Sequence, residues 1–138
     1  MYYYIEPEVS GGLGDKTIID TSVHPPVVTK LHIQFDDWLG DDLIECFPCF
    51  IITKSLARKV IHEKLTGYEL DYVEISKSDE FKEFNTNKGL PDFLWFKVTG
   101  KAEKDDFWIA EDKRLAVTER ALRLLKTKNL KEADIEAG

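Results

Sequence analysis

The chain has 138 residues, 43% hydrophobic and 33% charged, which suits one domain that buries its own core without metal or disulfide. No apolar run approaches the roughly 20 residues of a membrane-spanning helix, and the N-terminus lacks the features of a secretion signal, so a cytoplasmic location is expected. The net charge of −7 lies wholly in residues 1–50, where nine acids face two bases, and such a field argues against direct nucleic-acid binding.

In chain order, the aromatic run at residues 2–6 predicts a strand. Ser10 to Gly14 reads as a turn, and Val23-His24-Pro25-Pro26 as a rigid connector. Val27 to Phe35 alternates like a half-buried strand, with Leu31, Ile33 and Phe35 on one face. An acidic turn follows, Asp36-Asp37-Trp38-Leu39-Gly40-Asp41-Asp42. Leu43 to Phe47 fits a helical turn or a short strand.

Phe50 to Ile52 predicts a buried strand, Thr53 an N-cap, and residues 54–64 a helix with a stripe of Leu56, Ala57, Val60 and Ile61. Thr66-Gly67 is expected to end that helix, and residues 68–75 to form a strand. Residues 76–92 read as a loop with a helical turn near Glu80–Phe84. Strands are expected at Phe93–Val98, Phe107–Ile109, Leu115–Val117 and Ala133–Glu136, with a helix over about 119–128.

An offset of 65 residues overlays two of these segments, about 50–75 and 115–136. Phe50-Ile51-Ile52-Thr53 falls on Leu115-Ala116-Val117-Thr118, Val60 on Leu125, Leu65 on Leu130 and Leu70 on Ile135. The expected architecture is a single α+β domain, 1–138, with an antiparallel or mixed sheet carrying two repeat-related helices.

No catalytic motif lies on this scaffold. Gly11, Gly12 and Gly14 match neither phosphate-binding glycine spacing. Cys46-Phe47-Pro48-Cys49 has redox-motif spacing, but the strand follows the motif rather than preceding it, and no second ligand pair completes a zinc site. His24, His32 and His62 lack the spacing of a triad or metal ligand. The expectation is therefore no catalytic residues, no metal and no cofactor.

The acidic turn carries the one constellation that points to a partner. Asp36, Asp37, Asp41 and Asp42 around Trp38 combine steering charge with an aromatic anchor, as protein interfaces do. The other reading is a solvated loop with its indole folded inward. A second acidic group, Glu103, Asp105, Asp106, Glu111 and Asp112, surrounds Phe107-Trp108, with Lys101, Lys104, Lys113 and Arg114 to balance it. It reads as a solvated hairpin, with Trp108 a possible extension of the interface.

Residues 47–53 leading into a helix, Leu65-Thr66-Gly67-Tyr68-Glu69-Leu70, and the closing Leu115 to Leu122 together resemble a group of bacterial immunity proteins built on a duplicated strand–helix–strand unit. The resemblance covers roughly residues 43–136 and leaves the N-terminal stretch outside, Gly11 to Gly14 and the whole acidic turn included. It implies a non-enzymatic protein of α+β fold that binds and neutralises a cognate protein toxin encoded beside it, a nuclease being the class an acidic partner suits. An adaptor for another protein is the alternative, and a small-molecule binder or enzyme the third.

Overall fold

Two threonines organise the chain. Thr53 and Thr118 each end a buried strand and cap the helix that follows, accepting from the amides of Leu56 and Ala121 at 3.2 and 3.3 Å. A hydroxyl there satisfies a first-turn amide that has no partner within the helix. The computed structural model describes residues 1–84 and 89–138. Thirteen strands and three helices appear among them, in an α+β arrangement.

The strands are β1 (Tyr2–Glu6), β2 (Gly11–Leu13), β3 (Ile18–Asp20), β4 (Val27–Lys30), β5 (His32–Phe35), β6 (Leu43–Cys46), β7 (Cys49–Thr53), β8 (Tyr68–Asp71), β9 (Glu74–Lys77), β10 (Phe93–Val98), β11 (Phe107–Ile109), β12 (Leu115–Thr118) and β13 (Asp134–Ala137). The helices are α1 (Lys54–His62), α2 (Asp79–Phe84) and α3 (Glu119–Leu125). Two antiparallel sheets, ordered β6-β7-β10-β8 and β11-β12-β1-β13, carry α1 and α3, which also pack on each other. A third sheet, β2-β5-β9, is mixed, because β5 and β9 run parallel; β3 and β4 form a separate hairpin.

The two large sheets share one plan. In the first, Thr53, Leu70 and Asp71 stand opposite Phe93, Phe96 and Trp95. In the second, Thr118, Ile135 and Glu136 stand opposite Tyr2, Ile5 and Tyr4. Each member of the second set on β12 and β13 lies 65 positions after its counterpart, so strand register follows the sequence offset. The fifth element differs in chain order: β10 follows β8, while its counterpart β1 precedes the whole second unit.

The shared core repeats that plan side chain by side chain. Among the described residues its buried members fall into pairs: Leu43 with Phe107, Phe50 with Leu115, Ile52 with Val117, Leu56 with Ala121, Ala57 with Leu122, Val60 with Leu125, Leu65 with Leu130 and Ile5 with Phe96. An amphipathic face must be buried against a partner, and here each unit supplies the partner of the other. A second core lies on the far side of the first sheet, where Leu31, Ile33, Phe35, Val73 and Phe81 cover Ile44, Ile51, Phe93 and Trp95.

Several elements differ from the sequence reading. Gly11–Leu13 is a strand rather than a turn, and Ile18–Asp20 is a strand that alternation does not reveal. The strand expected over Val27–Phe35 is interrupted at Leu31, since β4 pairs in the outlying hairpin and β5 in the mixed sheet. That over 68–75 divides likewise: β8 pairs with β10, and β9 with β5. Leu43–Cys46 resolves as a strand. Ile61, placed on the apolar stripe, is 54% exposed. Part of the loop expected at 76–92, residues 85–88, lies outside the described residues.

Helix α1 stops earlier than Thr66-Gly67. Lys64 turns left-handed at φ 56°, and the Leu65 amide reaches back to the Val60 carbonyl at 3.2 Å. Gly67, at φ 101°, serves the next contact: a Cβ there would lie 2.3 Å from the Phe107 carbonyl oxygen.

Candidate functional site

The structure divides the predicted partner-binding group. Asp36 and Asp37 are exposed, and Leu39 beside them is 60% exposed. Asp41 and Asp42 are not surface groups: both are buried. Asp41 accepts from the amides of Lys131 and Glu132 at 2.9 and 2.8 Å. Asp42 accepts from the Thr53 hydroxyl at 2.6 Å and the Asn129 amide at 3.0 Å. Buried carboxylates persist only when such donors replace water, so these two act as clasps, correcting their placement on an open acidic surface. Trp38 is half-buried rather than exposed. Its indole donates to the Asp41 carbonyl at 2.9 Å and meets Phe93 edge-on at 6.2 Å.

Glu8 braces the same turn from below and went unread in the sequence. Its buried carboxylate accepts from the Leu39 amide at 2.8 Å, the Asp41 amide at 3.1 Å and the Ser10 hydroxyl. The Ser10 carbonyl accepts from the amides of Asp36 and Asp37. The outcome is a turn fixed from inside that presents Asp36, Asp37 and Leu39 outward. Three of the nine acids of residues 1–50, Glu8, Asp41 and Asp42, are therefore spent within the fold.

Asp106 mirrors Asp42 in the second unit. It accepts from the Thr118 hydroxyl at 2.7 Å and the Thr66 amide at 3.0 Å. Each aspartate thus holds its own unit's cap threonine and the segment that follows the other unit's helix. Arg120 adds two bonds to Asp106 at 3.2 Å and reaches the Lys64 carbonyl at 3.2 Å beyond α1. Burial alone would raise the Asp106 pKa; the bonds from Arg120, Thr118 and Thr66 outweigh it and hold the carboxyl below the ordinary value. Asp106, assigned to a solvated hairpin, is thus a buried junction.

The remaining chemistry-bearing residues are accounted for by packing. His32 is buried, with Nε2 2.7 Å from the Ser76 hydroxyl, while Nδ1 accepts from the Lys16 amide at 3.2 Å. Gly14 lies against its ring: a Cβ there would come within 2.2 Å of Nδ1. The glycine thus makes room for an imidazole. His24 and His62 are exposed.

Cys46 and Cys49 face each other across the β6–β7 hairpin as buried thiols. Burial pushes them up to about 11 and about 12, with the Glu45 carboxylate adding to the first and Cys46 to the second. The thiolate is the reactive form, so alkylation of the native protein at pH 8 is expected to be at least tenfold slower than in urea. Equal rates in a timed iodoacetamide assay would contradict this placement.

One concave surface lies on the second sheet. Met1, Tyr2, Tyr4 and Trp108 line a groove of about 560 Å³ together with residues 102–106, Ile109 to Glu111 and Thr118. Tyr2 meets Tyr4 at 88° and 5.6 Å and Trp108 at 58° and 5.5 Å. Beside it, the Arg114 guanidinium lies 4.0 Å from the Tyr4 ring centre and pairs with Asp112 and Glu136 at 2.7 Å each. Among the described residues no helix is long and apolar enough to cross a membrane, and no three His, Cys, Asp or Glu converge as metal ligands. The chain matches no protein-family model, no curated protein and no solved structure.

Proposed function

We propose that this protein binds and neutralises a partner polypeptide, a cognate toxin, through the turn that carries Asp36, Asp37 and Leu39. The observation that carries the reading is how that turn is held. Glu8, Ser10 and Asp41 fix it from within, while two carboxylates and an apolar side chain face outward. Ordering a loop before contact removes part of the entropy cost of association. The sequence resemblance to immunity proteins points the same way, and a nuclease with a basic phosphate-binding cleft is the partner class this charge complements.

Mechanism follows from occlusion. Carboxylates docked in a basic cleft occupy positions that phosphates would take, and the field speeds encounter at low salt. Trp38 contributes by anchoring the turn against Phe93 rather than by inserting into the partner.

The test is stopped-flow association with the toxin at about 20 mM and about 200 mM salt, where screening lengths differ roughly threefold. Asp36→Asn/Asp37→Asn is expected to slow association about tenfold at low salt and flatten the salt dependence. An unchanged rate and slope would remove the electrostatic basis of the reading. An equal response from another basic protein would favour the adaptor alternative.

A further inference from the structure

The two halves differ most where their plans should match. The outer face of the first sheet is covered by β5, Val73 and Phe81. On the second sheet the counterparts of Phe93, Trp95 and Ile44 are Tyr2, Tyr4 and Trp108, and the face opens into the groove. Aromatics with polar edges replace residues buried in the first unit. Tyr2 remains 37% exposed.

We propose that this groove binds a cationic side chain, an arginine or lysine presented by another polypeptide. Tyr2 packs edge-on to Tyr4 and tilted against Trp108, so the three rings form one aromatic wall of the groove, with Tyr2 its exposed member. The negative face of an aromatic ring attracts ammonium and guanidinium groups. The lining charge has the complementary sign: Glu103, Asp105, Asp106 and Glu111 against Lys104. Asp106 is committed to Arg120, which still leaves three carboxylates against two ammonium groups, those of Lys104 and the Met1 N-terminus. Asp105 accepts from the Lys101 amide at 2.8 Å, which orients its carboxylate without cancelling its charge.

The same sheet already holds one cation in this way. Arg114 lies over Tyr4 between Asp112 and Glu136. In the first unit Lys97 lies 4.4 Å from the Trp95 ring centre and pairs with Asp71 at 2.8 Å. Trp95 and Asp71 are the counterparts of Tyr4 and Glu136. A cation held by a ring and a carboxylate is thus a repeated feature of this scaffold, and the groove offers acceptors of the same kind, the Tyr2 and Trp108 rings and nearby carboxylates, to a cation from outside. The proposal shares with the preceding reading only the polypeptide nature of the partner, since the two surfaces have no residue in common.

The experiment titrates the full chain with the peptide acetyl-Gly-Arg-Gly-amide and its citrulline counterpart, following the Trp108 indole and Tyr2 ring by NMR. Saturable shifts are expected with the arginine peptide, with citrulline at least fivefold weaker. Tyr2→Leu should weaken binding at least fivefold while Tyr2→Phe retains it, because the ring face does the work. Glu103→Gln/Glu111→Gln should weaken binding and reduce its salt dependence. Asp36→Asn/Asp37→Asn should leave it unchanged, which separates failure here from failure at the acidic turn. Absence of saturation with the arginine peptide, equal affinity for citrulline, or full binding by Tyr2→Leu would overturn the proposal.

Discussion

Phe107→Ala is expected to destabilise the protein by about 3–5 kcal/mol, the range for truncating a large buried aromatic. Its side chain is fully buried where the two units meet. It stands edge-on to Phe96 at 5.0 Å and to Tyr68 at 6.0 Å, and both of those rings belong to the first unit. Phe96 in turn stacks on Tyr68 at 5.2 Å. Truncation removes apolar burial and leaves a cavity that neighbours on two sheets cannot jointly fill. The backbone there is pinned as well, since the Phe107 amide donates to the Thr66 carbonyl at 3.1 Å. Urea denaturation should show a lowered midpoint with an unchanged slope. A double-mutant cycle of Phe96→Leu and Phe107→Leu should give coupling of about 0.5–1.5 kcal/mol. A loss below about 1.5 kcal/mol for Phe107→Ala would mean that the units are joined elsewhere.

Asp106→Asn is expected to cost about 2–3 kcal/mol at pH 7, in the range for hydrogen bonds to a charged group. The ion pair with Arg120 supplies the smaller share, because that side chain is 52% exposed and solvent screens it. The larger share comes from the Thr118 hydroxyl and the Thr66 amide, which an amide group cannot serve equally. The pH dependence follows from the direction of the shift. The folded carboxyl ionises below its ordinary value of 3.8, so its contribution is complete above the unfolded value and disappears as pH falls through the folded one. The wild type should therefore lose stability on acidification below about pH 4 more steeply than Asp106→Asn. Parallel curves from thermal melts at stepped pH would contradict the assignment.

The helices were legible because their signals are local. Thr53 and Thr118 precede apolar stripes of helical period, and Leu56, Val60, Ala121 and Leu125 are buried where that period places them. The 65-residue offset was legible for the same reason, and it recurs in the strand pairing. Asp41 and Asp42 were not legible. Aspartate is seldom fully buried, and the amides that justify its burial here lie about 90 residues away in sequence. Glu8 was missed likewise, its partners Leu39 and Asp41 being remote. Gly11 reads as a turn by propensity, yet a Cβ on it would meet the Gln34 carbonyl oxygen at 2.0 Å, so a strand requires glycine at that site. The aromatic groove joins residues near the N-terminus to residues 102–111, a meeting that only strand order brings about.

The most direct measurement is coexpression with the protein encoded by the adjacent gene, reading both cell survival and complex mass. The account predicts that the neighbour is toxic alone, that coexpression of this chain restores growth, and that the two purify as a stable complex weakened by Asp36→Asn/Asp37→Asn. Restored growth with no complex, accompanied by chemical conversion of a metabolite by this chain alone, would contradict it.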